Sequence, residues 1–215
     1  VKIRWNGHSS FSVIGGGHQL VTDPYEPKAF GGGIGYEAID PGGVDLVTVS
    51  HDHADHNFVD PFKKAIVVTK AGTYKDVTFD VMTTFHDENQ GKQRGSNRIF
   101  CFELEGIRIC HLGDLGHRLS QNQIDQLGKV DVLFVPIGGY FTIDAKAANQ
   151  IVDDLKPSIT FPMHYKTSKC SFPIAEVESF LENKKHVKRI NADEVEIQKE
   201  TLPTAPETLV LKHRY

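Results

Sequence analysis

The chain has 215 residues, 39% of them hydrophobic and 24% charged, with a formal net charge of −4. That balance is ordinary for a globular protein and excludes intrinsic disorder; the mild negative charge argues against a broad surface for nucleic acid or anionic lipid. No apolar run approaches the roughly 18–20 residues of a membrane span, and the opening "VKIRWNG" has no signal-peptide pattern. Three cysteines without C-x-x-C spacing (Cys101, Cys110, Cys170) read as reduced thiols. A cytoplasmic protein with a single domain over 1–215 is expected.

Strand patterns open the chain: "KIRW", "SFSVI" and "QLVTD", punctuated by glycines at 15–17. The glycine-rich stretch "FGGGIGYEAIDPGG" (30–43) lacks the pattern of a phosphate-cradling loop. Five runs rich in Val, Ile, Phe and Thr follow, "DLVTVS", "AIVVT", "VTFDVMTTF", "RIFCFEL" and "IRICHL", all suited to a half-buried pleated surface. "SQNQIDQLG" (120–128) has capping-box spacing between Ser120 and Gln123 and predicts a helix ending at Gly128. After the buried strand "DVLFVPIGG", "DAKAANQIVDDLKP" (144–157) sets Ala147, Ile151 and Leu155 at helical spacing, with Asp144 as cap and Pro157 as stop. "SITFPMHY" predicts a strand, "FPIAEVESFLENK" a helix and "ETLVLKHRY" a closing strand, while the basic run "ENKKHVKRI" reads as a solvated helix end and turn. Strands first and helices interleaved later predict an α/β sandwich rather than a doubly wound parallel sheet.

The chemistry concentrates in "HDHADH" at 51–56. Neighbouring imidazoles repel when charged, unless a cation uses their lone pairs. Neutral imidazole and carboxylate are good ligands for Zn²⁺ and similar ions. In extended chain, residues two apart point the same way, so His51 and His53 can share one ion. Asp55 and His56, after a turn, can face a second. So short a segment cannot fill either coordination shell. Three candidates stand at the ends of apolar strands: His86 after "VMTTF", Asp114 after "IRICHLG" and His164 after "SITFPM".

With these residues in view, the chain resembles the metallo-β-lactamase-fold hydrolase superfamily. The likeness rests on "NGHSSF", "VTDPY", "SHDHADH", "HDENQGKQRGSN", "HLGDLGH", "VDVLFVPIGGYFTIDAKAA" and "LKPSITFPMHY", an ordered set spanning nearly the whole chain. It looks most similar to the ascorbate-6-phosphate lactonase-like branch, related to N-acyl-phosphatidylethanolamine phospholipase D. The resemblance implies a four-layer αβ/βα sandwich with two divalent metal ions at one edge, expected to be Zn²⁺, with Mn²⁺ or Fe²⁺ also compatible. It implies that His51, His53 and His86 hold the first metal, that Asp55, His56 and His164 hold the second, and that Asp114 bridges them. His111 competes with His86 but is expected to be packed and hydrogen-bonded behind the ligands; Asp23 is expected to brace the metal loops.

Two cations flanking a water lower its pKa towards 7 and polarise a carbonyl or phosphoryl oxygen. A metal-dependent hydrolase is therefore expected, using a metal-bound hydroxide on a lactone, amide or phosphodiester bond of a small-molecule substrate. "GHSSF" is not the G-x-S-x-G elbow of a serine hydrolase. Asp55 is expected to move a proton and His8 to orient substrate, while Tyr140 (with Phe141), Lys166 and His117 are candidate substrate contacts. Three rival readings share the fold: a di-iron redox protein, which is expected to carry Glu where His53 stands; an RNA- or DNA-processing nuclease, which needs a gripping insertion; and a metal-binding protein without catalysis.

Overall fold

The computed structural model describes residues 1–213. Two sheets carry the architecture. The first has six strands, β1 (Lys2–Gly7), β2 (Ser10–Gly15), β3 (His18–Thr22), β4 (Leu46–Thr48), β5 (Ile66–Val68) and β13 (Glu194–Glu196), in the order β13-β1-β2-β3-β4-β5. The second has eight: β6 (Gly72–Tyr74), β7 (Val77–Phe85), β8 (Ser96–Leu104), β9 (Ile107–His111), β10 (Val132–Pro136), β11 (Ile159–Met163), β12 (Val187–Ile190) and β14 (Glu207–Leu211). Their order is β12-β14-β11-β10-β9-β8-β7-β6. The run β6 to β9 is an antiparallel meander, whereas β9, β10, β11, β14 and β12 pair in parallel.

Period-two alternation explains β1, which buries Ile3 and Trp5 and leaves Lys2, Arg4 and Asn6 half-buried. The sheets meet face to face through such side chains: Phe11 of β2 stacks on Phe134 of β10 at 4.1 Å between centroids. Strands β10 and β11 are buried along their whole length, as expected where helices cover the second face of a parallel sheet. α2 (Gln121–Leu127) starts at the predicted capping box of Ser120 and Gln123. α3 (Ala145–Leu155) is capped by Asp144, whose Oδ1 accepts from Ala147 N at 2.8 Å, and adds Ala148, Ile151, Val152 and Leu155 to the core. The mixed α/β sandwich with two large sheets agrees with the expected fold class. No helix among the described residues is long and apolar enough to cross a membrane.

The third predicted helix is much shorter than its pattern: only α4 (Glu178–Leu181) forms. The preceding residues are pulled into extended pairing, with Ala175 N bonded to Gly138 O and Lys166 N to Ala175 O, both at 2.8 Å. The basic run contains an edge strand, β12, because β14 offers it a parallel partner. A distorted turn, α1 (Ala29–Gly32), interrupts the glycine-rich loop. Arg214 and Tyr215, at the end of the predicted closing strand, lie outside the described residues.

Four strand ends matter for function. β4 runs out through 49–50 into His51, β7 into His86, β9 towards Asp114 and β11 into His164.

Opposite that edge, Asp131 ties β9 to the 3₁₀ turn Lys199–Thr201. Its Oδ2 accepts from Lys199 Nζ at 2.5 Å and Arg108 N at 2.9 Å. Burial raises its pKa, but Lys199 and the Arg108 N–H outweigh burial and hold it below the usual carboxylate range. A depressed native pKa gives stability that is full above the unfolded value, about 3.9, and fades as pH falls through the native one. Urea unfolding should show the deficit of Asp131→Asn largest near pH 7 and shrinking below pH 4; a pH-independent deficit would contradict the assignment.

Candidate metal centre

The 51–56 segment turns on itself, with His56 N and Asn57 N both bonded to His53 O at 2.8 and 3.0 Å. That turn divides its side chains between two groups. Donor atoms of His51, His53 and His86 lie within 4.8 Å of one another, and so do those of His8, Asp55, His56 and His164. Asp114 stands between the groups. Its Oδ2 is 3.2 Å from His56 Nε2, 3.3 Å from His164 Nε2, 3.4 Å from His86 Nε2 and 3.9 Å from His51 Nε2. The structure thus brings together all seven residues proposed from sequence as ligands, and adds His8 to the second group.

Two observations test whether a cation fits. First, Nε2 of His51 and of His56 are buried without a hydrogen-bond partner among the described residues. Buried polar atoms left unpaired are costly, and a cation would satisfy both. Second, the protonation states match a donor set. Burial, reinforced by His56, pushes His51 down to about 3; burial and His164 push His8 down to about 4; burial also lowers His86. These imidazoles are neutral at pH 7 and offer lone pairs. Burial opposes ionisation of Asp114 and Asp55, but the imidazoles around them, His164 and His56 for Asp114 and His56 and His8 for Asp55, hold both below the usual range. His56 is the exception: Asp114 and Asp55 face it and raise it despite burial, so a cation at its Nε2 would have to displace a proton. Several neutral imidazoles around ionised carboxylates suit a divalent cation.

Asp23 organises this donor set without facing it. Oδ1 accepts from Ser50 N at 2.7 Å; Oδ2 accepts from Ser50 Oγ at 2.5 Å and from His56 Nδ1 at 2.9 Å. Ser50 Oγ in turn accepts from His51 Nδ1 at 2.9 Å. One buried carboxylate thereby fixes two imidazoles in the tautomer that leaves Nε2 free. Although Asp23, His51 and His56 also form a compact triad, these bonds occupy both of its oxygens, so bracing is its role. His111 is likewise committed: Nε2 donates to Ser9 O at 2.8 Å and Nδ1 accepts from Gly113 N at 3.1 Å.

Sequence reasoning missed three supporting residues. Ser50 relays Asp23 to His51. Asn97 Oδ1 accepts from Asp114 N at 2.9 Å while Nδ2 bonds Leu112 O and Thr84 Oγ1, which fixes the turn bearing Asp114. Asp87 accepts N–H bonds from Asn89, Gly91, Gln93 and Arg94 at 2.7–3.0 Å and so winds the loop after His86. The Asp87, Asn89 and Gly91 of this loop were a legible turn signal; Ser50, at the end of a strand-like run, and Asn97, at the end of the polar loop, gave none.

Two glycines let backbone approach the ligand strands. A Cβ on Gly116 would sit 2.2 Å from Asp87 N and His86 C, and one on Gly138 would sit 2.2 Å from His164 O. Gly116→Ala must therefore displace either His86 or the turn carrying Asp114. It should lower the melting temperature by several degrees, corresponding to about 1–3 kcal/mol of overpacking, and reduce metal content. An unchanged melting curve and metal content would contradict this.

A cavity of about 710 Å³ opens beside the cluster, lined among others by Asp87, Arg94, Gly116, Tyr140, Phe141 and Lys146. The histidines are not in its lining; its link to them is through Asp87, next to His86, and Gly116, two residues after Asp114. Tyr140 stands on its wall. Lys166 is exposed and outside the lining. His117 is also outside, and both its nitrogens go to backbone: Nε2 accepts from Phe85 N at 3.3 Å and Nδ1 donates to Arg118 O at 2.8 Å. Those bonds make it a brace for the β7 end and leave no ring nitrogen for a substrate.

The family model of the β-lactamase superfamily domain matches residues 2–164. A UPF0173 metal-dependent hydrolase of Thermoplasma acidophilum is 29% identical over 78% of this chain and 84% of its own length. A UPF0173 protein of Pyrococcus furiosus is 31% identical with the same two coverages. Among solved structures, a Thermotoga maritima protein assigned as a Zn-dependent hydrolase of the metallo-β-lactamase superfamily superposes with a TM-score of 0.79 at 34% identity, covering 99% of both chains. With its histidine–aspartate cluster at the shared edge of two sheets, this chain belongs to the metallo-β-lactamase superfamily, as one of its metal-dependent hydrolases.

Proposed function

We propose that the chain hydrolyses an ester-like bond of the lactone or phosphodiester class at a dinuclear centre, with Zn²⁺ as the expected metal and Mn²⁺ or Fe²⁺ compatible with the same donors. The observation that carries this reading is the position of Asp114 Oδ2, within 3.9 Å of Nε2 atoms drawn from three separate strand ends. His51, His53 and His86 would hold one ion, Asp55, His56 and His164 the other, with Asp114 shared. Such cations supply Lewis acidity, which makes water nucleophilic at neutral pH and polarises the scissile carbonyl or phosphoryl group.

The chain's own groups then do the rest. His8 Nε2 donates to Asp55 Oδ2 at 3.1 Å and so orients that carboxylate. Its Nδ1 is buried and unpartnered, and burial keeps the ring neutral, so a lone pair is free to accept a hydrogen bond from the substrate and orient it. The cavity volume of about 710 Å³ falls within the range of small-molecule sites, which favours a small substrate over nucleic acid. The narrower likeness to ascorbate-6-phosphate lactonases belongs to this proposal and rests on the sequence motifs.

Protein purified without chelator should carry about two divalent ions per chain and hydrolyse members of a lactone and phosphodiester panel. Chelation should abolish turnover, and Zn²⁺ or Mn²⁺ should restore it. Full activity after metal removal would end this reading.

A further inference from the structure

Four aromatic side chains from three separate loops form one connected surface that starts at the candidate centre. Phe172 meets His8 edge-on at 5.8 Å between centroids, and His8 bonds Asp55. From Phe172 the contacts run to Phe30 at 5.6 Å and to Phe141 at 5.6 Å, and from Phe141 to Tyr140 at 4.6 Å. The pairs cross at 66–74°, the edge-to-face packing aromatic rings prefer. Tyr140 and Phe141 also line the cavity beside the metal-site residues, and Arg94 lies over the Phe141 ring at 5.7 Å.

The outer members are unusual for surface residues. Phe30 is 59% and Tyr140 68% exposed, among the few large hydrophobic side chains so open to solvent. Both sit on left-handed backbone, with φ of 53° and 62°. Bulky residues are strained in that region, where glycine is not, and strain of this kind concentrates at ligand-contacting positions. Holding two exposed aromatic rings there does nothing for the core.

We propose that this surface is a subsite for a planar, aryl portion of the substrate, placed beside the bond being cut. Three features select that occupant. The surface is continuous with His8, the cavity next to it has small-molecule dimensions, and crossed rings with an overlying guanidinium offer both faces and edges to another flat π-system. Phe30 and Tyr140 clasp the aryl group from opposite ends, while Phe172 fixes its distance from His8. The inference rests on the hydrolase reading for the placement of the scissile bond, and its binding part is tested separately.

The metal-loaded protein should bind 2-naphthol, measured by calorimetry, at least about tenfold more tightly than cyclohexanol, and Phe30→Ala/Tyr140→Ala should weaken naphthol about tenfold. Both positions are exposed, so the double variant should fold, which its melting curve checks. Asp114→Ala should retain naphthol binding, which separates the subsite from the metal centre. In turnover, the double variant should lower the ratio of kcat/KM for aryl-bearing over alkyl-bearing members of the lactone and phosphodiester panel about tenfold. Failure to hydrolyse any member of that panel, with naphthol binding as expected, would count against the hydrolase reading and leave the subsite intact. Absent or equal naphthol binding in wild type and double variant would overturn the subsite. So would loss of binding to phosphatidylcholine vesicles in the variant with naphthol affinity unchanged, because the rings would then face lipid.

Discussion

Asp114→Asn is expected to lower turnover by about a thousandfold or more and to leave at most one tightly held metal per chain. The carboxylate faces four Nε2 atoms at 3.2–3.9 Å and is almost fully buried, so no neighbour can take its place as a shared anion. Losing metal-centred stabilisation of several kcal/mol at about 1.4 kcal/mol per tenfold sets that scale. Asparagine keeps the shape, and the backbone bond from residue 114 to Asn97 Oδ1 does not involve the changed group. The chelated variant should still melt cooperatively, though below the chelated wild type because the charge stabilised by His164 and His56 is gone, and that cooperative melt separates a lost centre from a lost fold. Metal analysis alongside kcat decides it: a variant with full metal content and wild-type turnover would show that Asp114 merely sits near the site.

The second large effect lies one layer behind. Asp23→Ala strips the acceptors from Ser50 N, Ser50 Oγ and His56 Nδ1 in a fully buried position. At about 1–3 kcal/mol for each of these three buried groups left unpaired, the loss is on the order of 3–9 kcal/mol. Alanine also suits the native φ of 40° less well than Asp or Asn does. Asp23→Asn is the sharper experiment. It fits the backbone and keeps one acceptor, but the single amide oxygen cannot serve both Ser50 and His56. An amide N–H facing His56 Nδ1 would move that ring's hydrogen to Nε2, the atom required by a metal. Zinc affinity should then fall about 10–100-fold while the metal-free protein keeps most of its stability. Wild-type zinc affinity in Asp23→Asn would mean that the carboxylate does not set the tautomer.

The sequence already held the donor types and their local spacing. H-x-H-x-D-H was visible as a cluster, and His86, Asp114 and His164 stood out because each follows an apolar run that can end at a sheet edge. Both longer helices were equally legible, since the Ser120–Gln123 box and the Asp144 cap are local chemistry written within three residues. The aromatic surface was not: Phe30, Tyr140 and Phe172 lie in loops of different composition, and nothing in their spacing says they meet. The truncated third helix failed for a similar reason, because Ala175 is held by Gly138, 37 residues away in sequence. Local pattern reports on neighbours along the chain; it is blind to bonds made across it.

The sequence by itself therefore determined which residues can donate to a cation and which strand ends can present them. Tertiary structure alone decided how they are shared out: His51, His53 and His86 on one side, Asp55, His56, His164 and His8 on the other, Asp114 between, and Asp23 behind. That division follows from strand order and from the packing of one sheet on the other, as where Phe11 meets Phe134. Burial between sheets is a non-local quantity, set by which faces exclude water together; no window along the chain contains it.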